Sequence, residues 1–429
     1  LTFLINFAKL GKKSQKNEKK LMKKYLRKIL RLLVYMPINQ KIFVLLAIGG
    51  FSLYANIDRK QIKKHEPVCV EVKIQTASDS ATHARIYNIV SKAFAEGRFN
   101  GHIIYAENGR VLFNSYFGFE DIRTRRIPLS DTSIFQLAST SKPITAIAVL
   151  MLHEAGRLDI NNPVVTYLSD FPFQTITVKQ LLQHRSGLPN YMHVAHRNWD
   201  TRQFMTNADI TPLIVRTGAR LMFNPGARFH YNNTNYAYLA CIIEAVSGQS
   251  FPEFMNRRIF QPLGMYNTYV FEWEKRNTYR AMRGYDFTNR RGFFARQPDY
   301  LDGVMGDKGI FATANDLFIF DQALHNNRLI SRELLELAFT PARPFDERHR
   351  RDYGLGFRLR LNDDDQVVAF HHGWWRGFRT FYVHDFKNGR TLIWLNNRSD
   401  VRVVSLIAEI LEYGDISDDD DPVLGGGGE

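Results

Sequence analysis

Ser139 and Lys142 stand three residues apart in the stretch Phe135-Gln136-Leu137-Ala138-Ser139-Thr140-Ser141-Lys142-Pro143. On a helical turn that spacing puts both side chains on one face. A hydroxyl beside an amine at a helix start has a chemical use. An amine held neutral takes the serine proton, and the helix end with its free N–H groups favours negative charge nearby. Ser-x-x-Lys alone is a weak signal, expected about once by chance in a chain this long. Two further stretches give it company. Phe223-Asn224-Pro225-Gly226-Ala227-Arg228-Phe229-His230-Tyr231-Asn232-Asn233 puts the phenol of Tyr231 and the carboxamide of Asn233 two residues apart in a turn before a helix. Phe370-His371-His372-Gly373-Trp374-Trp375-Arg376-Gly377-Phe378 closes a strand.

The elements that must position these residues are legible from pattern. Pro143 suits a first helical turn, and Ile144, Ala146, Ile147, Leu150 and Met151 continue that helix to a stop at Gly156. Ile86, Ile89, Val90 and Ala93 predict an amphipathic helix between Thr82 and Ala95. Phe99 to Phe119 reads as a hairpin turning at Asn108-Gly109. Residues 155–325 read mostly as helix and loop, with helices at Val178–His184, Thr234–Val246 and Leu317–Leu324. Strands return at Tyr353–Leu361, Gln366–Gly373, Phe378–Asp385 and Arg390–Leu395, before a last helix from Val401 to Leu411. Strands at both ends with helices between predict an α/β (α+β) fold. One antiparallel sheet is built from both ends of the chain and carries a mostly helical inserted domain.

Charge divides the chain. Residues 1–64 hold 16 Lys and Arg against Glu18 and Asp58, while the remainder holds 41 basic and 41 acidic residues. The net charge of +14 therefore belongs to the leader, and the globular part offers no basic excess for nucleic acid. The apolar run Ile42 to Ala55 after those basic residues reads as a signal peptide or membrane anchor, although it is short for a spanning helix. Met36 as the true start would leave a leader of ordinary length. Residues 65–80 read as a linker and 414–429 as a disordered acidic and glycine-rich tail, leaving 81–413 for the folded domain. Cys69 and Cys241 make neither a disulfide framework nor a zinc signature, and His193 and His196 lack a third ligand at metal spacing.

Taken in order, Ser139/Lys142, Tyr231/Asn233 and His371/Gly373 resemble the three motifs of serine penicillin-recognising enzymes of the class C β-lactamase type. That group includes D-Ala-D-Ala carboxypeptidases, D-aminopeptidases and related esterases. His184-x-Ser186-Gly187-Leu188-Pro189, Pro225-Gly226, Pro262-Leu263-Gly264-Met265 and Gly377-Phe378 agree with it, so the resemblance covers roughly residues 80–413. It implies a β-lactamase or penicillin-binding-protein-like fold and a hydrolase working through an acyl-enzyme on Ser139, with no cofactor or metal. The basic leader and its apolar run imply an exported protein, periplasmic or held at the cytoplasmic membrane by its N-terminal segment. The substrate would be a small molecule or peptide, a peptidoglycan-derived one included.

An acyl-transfer serine needs a base, a proton donor for the leaving group and an oxyanion hole. Lys142 is expected within reach of Ser139 Oγ. Tyr231, its pKa lowered by the lysine charge, is expected to share the base role and protonate the leaving group; which of the two is the base stays open. Asn233 is expected to hold Lys142 or the substrate amide, and His371 to contact Tyr231 or a substrate carboxylate. Gly373 is expected to let backbone approach closely at a strand edge. The resemblance places the oxyanion hole at the backbone N–H groups of Ser139 and Trp374. Where most β-lactamases of this class carry Lys-Thr-Gly, this chain has His371-His372-Gly373, the form of the peptidase and esterase branches. Trp374 and Trp375 add bulk that narrows the cleft or stacks on an apolar substituent. Lys308, in Gly306-Asp307-Lys308-Gly309, has no role assigned from sequence. The rival reading is a non-catalytic protein that binds cell-wall peptide or a partner on the same fold. An intact Ser139/Lys142/Tyr231 set argues against it.

Overall fold

A computed structural model describes residues 80–345, 350–400 and 403–413. The basic leader, the linker and the acidic tail foreseen above lie outside the described residues. Among the described residues no helix is long and apolar enough to cross a membrane.

The molecule is built on a seven-stranded antiparallel sheet in the order β2-β1-β12-β11-β10-β9-β8. Two strands come from the N-terminal part: β1 (Gly101–Glu107) and β2 (Arg110–Phe117). Five come from the C-terminal part: β8 (Arg351–Tyr353), β9 (Arg358–Leu361), β10 (Val367–Trp375), β11 (Phe378–Asp385) and β12 (Arg390–Asn396). The two ends of the chain meet where β1 pairs β12, Ile103 opposite Trp394. The β1–β2 turn places Asn108 at φ 49° and Gly109 at φ 74°, the two left-handed positions a tight hairpin needs. Between them run β3 (Phe135–Gln136), β4 (Tyr269–Val270) and β7 (Ile310–Ala312), which form a small sheet of their own. A separate hairpin joins β5 (Tyr285–Thr288) to β6 (Gly292–Ala295).

Helices cover both faces of the main sheet. The principal ones are α1 (Ser80–Ala95), α2 (Ser141–Glu154), α3 (Val178–Leu182), α4 (Tyr191–Asn198), α5 (Asn233–Ser247), α6 (Ala314–His325) and α7 (Val404–Leu411). Alternation along β10 sorts its residues between two cores. Val368 and Phe370 join Ile86 and Val90 of α1 and Ile407 and Ile410 of α7. Ala369 joins Ile144 and Ile147 of α2 on the other face. His371 and Gly373 keep the parity of Ala369, so they face α2. That helix is buried from Ser141 to Leu150, as expected of one apolar all round.

Tyr353–Leu361, expected as one strand, is a hairpin of β8 and β9. Gly354 donates to the Phe357 carbonyl at 2.9 Å, and Gly356 sits at φ 99°, a conformation few other residues adopt. The helix expected to reach His184 ends at Leu182, because His184 itself takes a left-handed φ of 54°.

Candidate active site

The chain leaves β3 and turns into α2 through Leu137 and Ala138. Ala138 has φ 50°, which for a residue with a Cβ costs of order 1 kcal/mol. The turn is pinned from β11: Thr380 Oγ1 donates to the Leu137 carbonyl at 2.7 Å and lies 2.9 Å from Thr140 Oγ1. Ser139 stands at this turn, partly open to solvent, while Lys142 below it is fully buried.

Lys142 Nζ lies 2.9 Å from Ser139 Oγ and donates to the main-chain carbonyl of Asp307 at 2.7 Å. Burial pushes the amine down from 10.5 to about 7; the Asp307 carboxylate opposes this and the Arg358 guanidinium adds to it. At neutral pH about half the amine is then free base, against roughly one part in three thousand for an ordinary lysine. The Tyr231 ring packs 5.0 Å from Lys142 Nζ, and its hydroxyl is near enough to Ser139 for the two to interact. Its pKa departs from the sequence expectation. Burial pushes the phenol up to about 12, and Arg358 and the interaction with Ser139 offset this only in part. A largely neutral lysine supplies little charge to stabilise a phenolate, and desolvation wins.

The N-terminus of α5 is tied to the His184–Pro189 loop. Asn232 caps the helix by accepting from Thr234 N at 3.0 Å, and its Nδ2 donates to the Leu188 carbonyl at 2.5 Å. His184 Nδ1 accepts from Asn232 N at 3.1 Å and from Asn235 Nδ2 at 2.9 Å. The His184 ring then backs Tyr231 at a centroid distance of 4.4 Å. Asn233 does not hold Lys142. Its Nδ2 faces the Met192 sulfur at 3.3 Å and its Oδ1 is buried without a partner, which leaves the second expected role, a bond to a substrate amide, open to it.

His371 is fully buried, and both ring nitrogens are spent within the protein. Nδ1–H donates to the His372 carbonyl at 2.8 Å, so Nε2 accepts from the Tyr353 hydroxyl at 3.0 Å. Burial and the Arg358 charge keep the ring neutral. The ring packs on Tyr231 at 6.2 Å, as one expectation had it, and has no donor left for a substrate carboxylate. Gly373 sits where backbone meets backbone: a Cβ there would lie 2.4 Å from the Leu137 carbonyl and 2.9 Å from Ala138 Cβ. Strand β9 pairs with β10 only as far as Phe370, so the His371–Trp375 segment presents an edge to the Ser139 turn. The Trp374 ring packs under the Arg379 guanidinium at 5.0 Å, and Trp375 Nε1 donates to Asp302 at 2.6 Å.

Residues 88–414 match the Beta-lactamase family. The chain belongs to that family. It is 35% identical over 313 residues to a penicillin-binding protein of Bacillus subtilis (strain 168), a match spanning 71% of this chain and 69% of the relative. A solved penicillin-binding protein of Bacillus halodurans aligns with TM-score 0.66 and 24% identity, over 76% of this chain and 98% of that one. A D-amino acid amidase of Ochrobactrum anthropi SV3, solved with D-phenylalanine, aligns with TM-score 0.65 and 22% identity, over 78% of this chain and 98% of that one. Both structural likenesses bear on the fold.

In this Beta-lactamase-family chain two contributors to the site lay outside the motif reading. One is the Gly306–Gly309 segment, whose Asp307 carbonyl seats Lys142; the paired glycines hint at close approach, and a Cβ on Gly306 would lie 2.4 Å from the Tyr236 carbonyl. The other is Arg358 on β9. Its guanidinium lies 5.0 Å from the Tyr231 ring centroid, and its Nε is buried without a partner. The nearby Asp352 is spent on Arg185 at 3.0 Å. Nothing in Arg-Leu-Arg-Leu distinguishes a site arginine from a solvated strand face.

Proposed function

We propose that this chain is an exported serine hydrolase that forms an acyl-enzyme on Ser139 and cleaves an amide, ester or β-lactam bond in a substrate that carries a carboxylate. The observation that carries the reading is a buried amine, poised near neutrality, 2.9 Å from a partly exposed serine hydroxyl. In the reaction Lys142 Nζ takes the Ser139 proton as Oγ attacks the substrate carbonyl. The N–H groups of Ser139 and Trp374 receive the oxyanion, each such donor being worth about 3 kcal/mol in the transition state. Tyr231, neutral at working pH, relays the proton to the leaving group. Asn233 Oδ1, without a partner of its own, accepts from a substrate N–H. Arg358, whose Nε has no partner, takes the carboxylate, a role that the spent nitrogens of His371 cannot fill. A relative that is a penicillin-binding protein and a fold neighbour that is a D-amino acid amidase favour a peptide or D-amino-acid substrate, peptidoglycan-derived material included. The basic leader with its apolar run supports export and a membrane tether.

The test is intact mass after exposure to a fluorophosphonate and, separately, to a labelled penicillin, with Ser139→Ala alongside. Adducts with both, absent in the variant, are expected. A fluorophosphonate adduct alone would restrict the substrates to esters or unusual peptides. Folded protein that takes up neither reagent would leave a binding protein as the better account.

A further inference from the structure

Lys308 is buried beside the site, and the reaction just described does not use it. The segment that carries it is laced to the first turns of α2. Gly306 O accepts from Thr145 Oγ1 at 2.9 Å, Asp307 O from Lys142 Nζ at 2.7 Å, and Ile310 N donates to Ser141 Oγ at 3.2 Å. The Asp307 carboxylate is completely buried. It accepts from the Tyr191 hydroxyl at 3.0 Å and faces Lys308 Nζ at 3.3 Å, and Lys308 in turn donates to the same Tyr191 oxygen at 2.7 Å. Removing two ions from water costs several kcal/mol each, and a buried pair often stabilises a fold no better than apolar residues of the same volume. Stability is therefore a poor account of this pair, and its place next to the Lys142 amine suggests another.

The charges that face Lys142 come from separate elements. The Gly306–Gly309 segment brings Asp307 and Lys308, and β9 brings Arg358. Tyr231 and Tyr236 of the α5 region are held neutral by burial, as are His184 after α3 and His371 and His372 of β10. Among the described residues Asp307 is thus the one anion acting on Lys142, and it favours the ammonium, the form that cannot take a proton.

We propose that Lys308 is a positioning residue set against Asp307: at the Lys142 amine its ammonium offsets the field of the carboxylate that would otherwise hold Lys142 protonated, while the Asp307 main-chain carbonyl fixes where the amine sits. The opposed charges let one residue anchor Lys142 through its backbone without disabling it through its side chain. Tyr191 joins the two by donating to Asp307 and accepting from Lys308.

This inference rests on Lys142 being the base, so its test reads Lys142 directly. Protein labelled with 13C-lysine is titrated by NMR, with Lys142→Arg used to assign the Lys142 signal. Acylation by a fluorophosphonate is followed against pH in the same samples. Lys308→Met is expected to raise the Lys142 midpoint, and the acid limb of the rate profile, by about one pH unit; Asp307→Asn is expected to lower both by a similar amount. The double variant should return close to the starting midpoint. If Lys308→Met does not fold, Asp307→Asn and the double variant still decide. An Asp307→Asn midpoint equal to or above that of the unaltered protein would overturn the inference, as would a double variant no different from Asp307→Asn. Opposite NMR shifts without any acylation would sink the hydrolase reading and leave the electrostatic one standing.

Discussion

Replacing Lys142 by methionine should abolish acylation and at the same time stabilise the fold at low pH. The distance from the ordinary lysine value of 10.5 to about 7, multiplied by about 1.36 kcal/mol per pH unit, is about 5 kcal/mol. Because the folded-state value is the lower one, this is a cost of folding. It is fully present below about pH 7, where both states hold the proton. It is relieved as pH rises towards 10.5, because through that window only the unfolded chain does. Between pH 6 and pH 9 the unaltered protein should gain about 2.5 kcal/mol from this group, and the methionine variant nothing. Methionine also forfeits the bonds to Ser139 Oγ and the Asp307 carbonyl, at about 1 kcal/mol each, but that loss changes little with pH. The informative quantity is thus the difference between the two proteins at pH 6 minus that at pH 9, from urea unfolding at each pH. Other titrating groups are common to both and largely cancel. A variant whose advantage is equal at the two pH values, or larger at pH 9, would show that Lys142 stays an ammonium in the folded protein and would refute the base assignment.

Gly373→Ala should leave the fold but lower fluorophosphonate labelling by about a hundredfold, since a Cβ 2.4 Å from the Leu137 carbonyl must displace the Ser139 turn; labelling at an unchanged rate would mean that the β10 edge is not part of the site. Arg358→Gln should slow hydrolysis of a carboxylate-ended substrate at least tenfold, about 1.5–3 kcal/mol, and spare its carboxamide twin. Equal losses on the two would show that Arg358 serves only to shape the cleft.

Signals are legible in the sequence where the physics is local. Asn108-Gly109 demanded a tight turn, and the spacing of Ser139 and Lys142 demanded contact on one helical face. What escaped depends on distant chain. The glycines in Tyr353-Gly354-Leu355-Gly356-Phe357 were masked by the apolar alternation of their neighbours, yet a Cβ on Gly354 would lie 2.1 Å from the Ala338 carbonyl. The ring of His371 turns to Tyr353, eighteen residues away in sequence, and Arg358 reaches Tyr231 across the cleft. The Tyr231 shift is not legible from sequence, because the sign of a neighbouring charge carries no information on the cost of burial, which is the larger cause. Spacing can place two groups together; it does not say how much water is left around them.

The proposed reaction makes two demands on the cleft that conflict. It must attract an anionic substrate, which the Arg358 cation favours, and it must keep Lys142 neutral, which a bound carboxylate opposes. When the carboxylate pairs with Arg358, it also cancels the guanidinium charge that helped to drive the proton from Lys142. Arg358 therefore cannot be what keeps the base competent once substrate is bound. Burial can, because it is the largest of the causes acting on the amine and does not depend on the charge of what binds. That places the functional weight on the apolar surroundings of α2. Its Ile144, Ala146, Ile147 and Leu150 keep water from the first turn, so the same residues that build the core set the chemistry of Lys142.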